Sequence, residues 1–131
     1  MSRTFRPIPE HTESDVEYNC IGWLRTQGWV AERNPVGLLY TKDGRPHPVG
    51  RPGACDWRLK RSSRETPHYF ELECKAPRKR PDRRQLEYMA QMTAIGVIAT
   101  WVDSLTELQR WYFEAMPDFT YAQTQRHPGA R

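Results

Sequence analysis

A mixed α/β domain is what this sequence predicts, on three observations. Residues 13–27 repeat apolar side chains at helical spacing behind Thr12, a helix-capping residue type. Segments 54–60 (ACDWRLK) and 68–75 (HYFELECK) read as strands on either side of the turn-forming SSRETP. Behind them a capped helix, the apolar run VIATWV and a second capped helix give the order helix, meander of strands, helix, strand, helix.

Residues 1–11 hold two prolines and no periodicity, so they read as a flexible N-terminal arm. Thr12 with Asp15 makes a variant capping box for helix 13–27. Val16, Cys20, Trp23 and Leu24 line its apolar face, and Gly28 ends it. WVAER, 29–33, reads as a short strand. The Asp43-Gly44 pair predicts a hairpin or an extended loop. Pro46 and Pro48 keep the segment after that turn off any central strand, because proline donates no ladder hydrogen bond. Asp82 with Gln85 caps a helix through Leu86, Met89, Ala90 and Thr93, closed by Gly96. VIATWV, 97–102, has no polar alternation and predicts a strand buried on both faces. Ser104 and Glu107 cap a last helix carrying Leu105, Leu108, Trp111 and Tyr112. Residues 12–113 thus form one domain, and 114–131 an extended or mobile tail.

The chain of 131 residues suits a single domain with one modest core, to which 5 Trp, 6 Tyr and 4 Phe add bulk. No apolar run approaches a membrane span and no signal-peptide pattern opens the chain, so the expectation is a cytoplasmic protein away from membranes. Cys20, Cys55 and Cys74 stand singly, which predicts reduced thiols rather than a disulfide framework or a zinc knuckle. A zinc-type site from Cys55, Cys74 and His68 is disfavoured because no close ligand pair supports it. Net charge is +4. The positive charge is clustered: Lys75, Arg78, Lys79, Arg80, Arg83 and Arg84 lie within ten residues, and Arg58, Lys60, Arg61 and Arg64 form a second group. Such clusters favour polyanions.

Side chains alternate along a strand, so Glu71, Glu73 and Lys75 share one face and Phe70, Leu72 and Cys74 the other. A salted, solvent-facing edge accounts for the acids at the simplest level, and for Glu71 it is the preferred reading. Asp56 alters the balance for Glu73. If strands 54–60 and 68–75 pair as a hairpin, Asp56 comes close to Glu73 and Lys75. Two carboxylates at that separation repel unless one is protonated or a cation lies between them. Carboxylate oxygens favour Mg²⁺ or Mn²⁺, and a magnesium site needs few protein oxygens. Lys75 is then placed to orient or deprotonate an attacking water.

Asp56, followed across two adjacent strands by Glu73-Cys74-Lys75, resembles the PD-(D/E)xK nuclease signature. The surrounding pieces resemble its VRR-NUC branch: a first helix with an early glutamate (ESDVEYNCIGWLRTQGW), a Gly-x-Pro-Asp element (here GACD), the ELECK strand, a helix opening near a glutamine (DRRQLEYM), and TAIGVIATWV. The likeness runs over about residues 12–113 in the same order. Cys55 stands where the family has proline, which bears on the backbone ahead of Asp56.

This resemblance implies a restriction-endonuclease-like αβββαβ core with a central mixed sheet between helices. It implies that Asp56, Glu73 and the backbone carbonyl of Cys74 bind Mg²⁺ or Mn²⁺, with Glu13 reaching the ion through water. Glu17 competes with Glu13 for that role, and Glu13 also suits the first turn of its helix without any other task. Lys75 serves the nucleophilic water. Gln85 supports Lys75 or a phosphate, beside its capping role. The implied reaction is hydrolysis of DNA phosphodiesters, structure-selective in the manner of Holliday-junction resolvases. The implied partners are branched DNA and a second copy of the chain, in a bacterial cytoplasm if the source is a phage. Arg58, Lys60, Arg78, Lys79, Arg80, Arg83 and Arg84 are the expected phosphate contacts. Tyr112, Phe113 and Phe119 are candidates for a dimer surface or for the core. The competing expectations are a basic nucleic-acid-binding module without catalysis, and a nuclease acting on RNA or simple ends.

Overall fold

A computed structural model describes residues 4–34, 37–49, 51–63 and 66–114. Three helices and six strands follow in the order α1 (Glu13–Thr26), β1 (Val30–Arg33), β2 (Gly37–Tyr40), β3 (Pro46–Val49), β4 (Trp57–Ser63), β5 (Thr66–Cys74), α2 (Arg83–Ala94), β6 (Ala99–Val102) and α3 (Leu105–Glu114). The expected C-terminal tail, with Phe119, lies outside the described residues beyond Glu114, as does Arg64.

The main sheet is mixed, in the order β1-β4-β5-β6. The first three strands form an antiparallel meander, and β6 runs parallel to β5 after the α2 crossover. A parallel neighbour requires such a crossover, and α2 supplies it. β2 and β3 pair separately as a hairpin, with Gly44 at φ +81° in its turn. Pro46 and Pro48 both lie in this two-stranded ladder and stay off the main sheet, as their missing N–H demands.

Alternation divides the core into two layers. On one face Leu59, Phe70, Leu72, Cys74 and Val102 pack against Val16, Cys20, Ile21 and Leu24 of α1 and Leu105 and Leu108 of α3. On the other face Ala54 and Cys55 pack with Tyr88 and Met89 of α2, joined by Met92, Ala99 and Trp101. The sheet is therefore covered by helices on both sides.

The three caps form as the sequence expects. Thr12–Asp15 and Asp82–Gln85 are reciprocal capping boxes, and Ser104 Oγ accepts from the Glu107 N–H at 3.1 Å. Gly28 and Gly96 close their helices at φ +93° and +89°.

Four expectations need correction. Residues 4–11 are not a loose arm, because Asn19 holds them. Its amide accepts from the Ile8 N–H and donates to the Ile8 carbonyl, both at 2.8 Å. Glu10 takes a further bond from Asn19 and accepts from the Leu105 N–H, which ties the segment to α3 as well. Strand β4 starts at Trp57 rather than at residue 54, and β5 at Thr66 rather than at 68. β6 is half-buried along Ala99–Trp101, because it is an edge strand covered incompletely. Glu71 is buried at 6% exposure instead of facing solvent or an ion pair, and the hydroxyls of Tyr69 and Tyr88 donate to it. No helix among the described residues is long and apolar enough to cross a membrane.

Candidate active site

Strand pairing brings the predicted acids together. Trp57 lies opposite Leu72, so the next pair outward sets Asp56 across from Glu73, at the sheet end where β4 begins and β5 finishes. Lys75 follows β5 directly, and its Nζ lies 3.4 Å from Glu73 Oε2. Gln85, in the first turn of α2, donates from Nε2 to that same oxygen at 3.1 Å. Its Oε1 meanwhile accepts from the Asp82 N–H at 2.9 Å. Gln85 thus serves the cap and the carboxylate at once.

Glu73 is 1% exposed. Its Oε1 is buried and no hydrogen bond reaches it. Burial first, then the Asp56 charge, pushes the Glu73 carboxyl up to about 8, although Lys75 acts to lower it. Asp56 is raised as well, by burial and then by Glu17, while Arg33 and Lys75 act to lower it. Ionising both acids is therefore costly, and when both are charged Oε1 has no partner among the described residues.

Glu13 joins them from the first turn of α1. Its carboxyl is raised by burial, and it feels Lys75 and Asp56 directly. It makes no hydrogen bond or ion pair among the described residues. Glu17 differs: Arg33 pairs with it at 3.2 Å and the Trp57 indole donates to it at 2.7 Å. Of the two competing glutamates, Glu13 is the one with a carboxylate free for other work.

Nothing in the sequence singles out Asn34, which is 7% exposed. Its side-chain amide donates to the Cys55 carbonyl at 3.0 Å and its backbone N–H to the Asp56 carbonyl at 2.6 Å. Arg58 in turn donates to Asn34 Oδ1 at 2.7 Å. These bonds hold the backbone that carries Asp56. Polar residues in short connections carry no periodicity, so position in the chain does not distinguish Asn34. Gly53 completes the loop at φ +85°, where an added Cβ would lie 2.8 Å from the Arg84 carbonyl oxygen. Only glycine permits both that conformation and that approach.

Cys74 turns its side chain away from the acids and into the core, where its thiol contacts that of Cys20. Only its backbone remains available to the site. All three thiols are buried and free.

The basic residues separate into two sets. Arg78, Lys79 and Arg80 project from the loop that follows Lys75, and all three are exposed. The loop is anchored by the Arg78 N–H on Asp103 Oδ2 at 3.1 Å, with Arg78 at φ +66°. Arg80 lies over the Trp101 ring at 5.7 Å, and Arg84 is exposed on α2. Lys60, by contrast, is paired with Glu32 at 2.6 Å, Arg83 with Glu87 at 2.8 Å, and Arg58 is held by Asn34. Tyr112 belongs to the fold, since the Trp29 indole and Arg61 both donate to its hydroxyl. Phe113 is 63% exposed.

No family model, no curated protein and no solved structure matches the chain. Among the described residues, no group of three or more His, Cys, Asp and Glu side chains forms a ready cage for a metal ion. Two carboxylates with a carbonyl and water remain enough for magnesium, which keeps most of its own water. The raised acids and the orphaned Glu73 Oε1 are what a cation would relieve.

Proposed function

We propose that this chain is a Mg²⁺- or Mn²⁺-dependent endodeoxyribonuclease with a restriction-endonuclease-like αβββαβ core. The observation that carries the reading is Glu73: a buried carboxylate set across from Asp56, touching Lys75 and Gln85, with one oxygen facing no donor. A structural salt bridge would satisfy both oxygens. A metal-binding acid keeps one for the ion.

Asp56 and Glu73 would hold the cation, with the Cys74 carbonyl as a further oxygen and Glu13 acting through water. When bound, the ion supplies Lewis acidity and lowers the pKa of water near the phosphodiester. Gln85 fixes the rotation of the Glu73 carboxylate. Lys75 orients the attacking water and meets the charge that builds on the phosphate oxygens. Arg78, Lys79, Arg80 and Arg84 contact flanking phosphates. Their fixed places along the backbone favour recognition of DNA shape over base sequence. Branched DNA and a second copy of the chain complete the reading. Sedimentation of the free protein and of its junction complex tests the dimer.

Labelled four-way junction, flap, duplex and single-stranded DNA incubated with Mg²⁺, Mn²⁺ or EDTA provide the main test. The expected result is cleavage with either metal, none in EDTA, and a loss of about a hundredfold or more in Asp56→Ala and in Lys75→Ala. Cleavage that survives EDTA, or that both substitutions leave intact, removes the metal mechanism. Tight binding with no cut in either metal makes the chain a binding module.

A further inference from the structure

A cleft of about 880 Å³ runs beside α1, and its lining extends along that helix from Ser14 to Gln27. At 1.5 Å per residue that span is roughly 20 Å. The volume falls in the range of a single ligand pocket. A cleft of that length and volume suits an extended chain.

One end adjoins the proposed active site through covalent neighbours. Ser14 and Trp57 line that end, and the residues just before them are Glu13 and Asp56. The wall there is rigid and electrically balanced: Glu17 is held by Arg33 and Trp57, and the Arg33 guanidinium covers the indole at 4.5 Å. Farther along, the chemistry changes. Tyr18 is 56% exposed, with its ring 6.1 Å from that of Phe5. Arg25 is exposed and forms no ion pair among the described residues. Phe5 is seated by Gly22, where a Cβ would come within 2.2 Å of its ring. An exposed tyrosine ring and an arginine with no ion pair among the described residues, set along one cleft, are what single-stranded nucleic acid uses, bases stacking while the cation follows the phosphates.

We infer that this cleft binds a single-stranded segment continuous with the strand whose phosphodiester lies at Asp56 and Glu73, so that the protein holds DNA where its strands have parted. The inference rests on the nuclease reading for the word "continuous", and binding in the cleft can be measured without catalysis.

Fluorescein-labelled oligo-dT of eight nucleotides, titrated in EDTA at low salt and followed by anisotropy, is the probe. Tyr18→Ala and Arg25→Glu are each expected to weaken binding about tenfold. Both side chains are exposed, so the melting curves should stay those of wild type. Thr106→Ala, on the exposed side of α3, should bind as wild type does. Photocrosslinking with a 5-bromodeoxyuridine strand should label residues 4–5 or 14–33. Wild-type affinity in both variants, or crosslinks confined to other segments, overturns the cleft assignment. A protein that binds the strand through these residues yet cuts nothing in Mg²⁺ or Mn²⁺ keeps the cleft and loses the nuclease reading.

Discussion

Burial and neighbouring acids govern Glu73, and they make it a measurable liability in the absence of metal. Its carboxyl sits at about 8 in the fold, against 4.5 in an ordinary setting. Between those two values the folded chain keeps a proton that the unfolded chain has released. The native state then binds more protons, and stability falls as pH rises through that window. Glu73→Gln removes the cost of charging. In EDTA the variant should melt several degrees above wild type at pH 8.5, and the gap should shrink toward pH 5. Mn²⁺ should raise the wild-type melting temperature at pH 8 and leave Glu73→Gln nearly unmoved, because only the wild type has the full ligand set. Thermal scans across pH, with and without metal, check both. Alternation alone placed Glu71 and Glu73 on one face. It could not separate their fates, since one of the two hydroxyls that claim Glu71 belongs to Tyr88, seventeen residues away on α2. Asn34 was illegible for the same reason: its value lies in contacts across 21 residues.

At the scale of elements, the loop before β4 and the first turn of α2 act as one support. Gly53 lies against the Arg84 backbone, and Gln85, one residue on, reaches Glu73. Gly53→Ala should push loop and helix apart and displace Asp56 relative to Glu73. Cleavage should fall by tenfold or more, since small misplacements of catalytic groups are costly. The accompanying loss of melting temperature should exceed that of an ordinary surface change, because alanine at φ +85° is strained. Asp82→Ala removes a cap worth about 1 kcal/mol. It also removes the acceptor of the Gln85 backbone N–H and so loosens the turn that aims Gln85 at Glu73, and activity should drop beyond what the stability loss explains. Steady-state rates measured alongside melting curves separate the two effects. Caps and turns were readable because their chemistry is local: Thr12 with Asp15, Asp82 with Gln85, Asp43 with Gly44. Strand ends were not. Ala54 and Cys55 look like strand residues by composition, yet Asn34 holds the Cys55 carbonyl and both residues are buried under α2. VIATWV reads as central because it is apolar throughout, and only the sheet order makes it an edge.

For the molecule as a whole, the distribution of charge matters more than the net +4. One sheet end collects Glu13, Asp56 and Glu73. The loop and helix start beside it carry Arg78, Lys79, Arg80 and Arg84, none of which has an acid partner among the described residues. The sequence showed both clusters of arginine and lysine but not which members were already paired, because Glu32 and Glu87 claim Lys60 and Arg83 only in the fold. That difference predicts a graded salt dependence. Each phosphate neutralised adds about 0.9 to the slope of log affinity against log salt for duplex DNA. Arg78→Ala, Lys79→Ala and Arg84→Ala should each flatten the slope by close to that amount. Lys60→Ala should change it little, since its ammonium lies 2.6 Å from Glu32. Binding isotherms on one catalytically silent background, taken at four or five salt concentrations, resolve a change of that size. Equal effects from all four variants would mean that DNA lies across β4 as well, and the path of the duplex over this molecule would have to be redrawn.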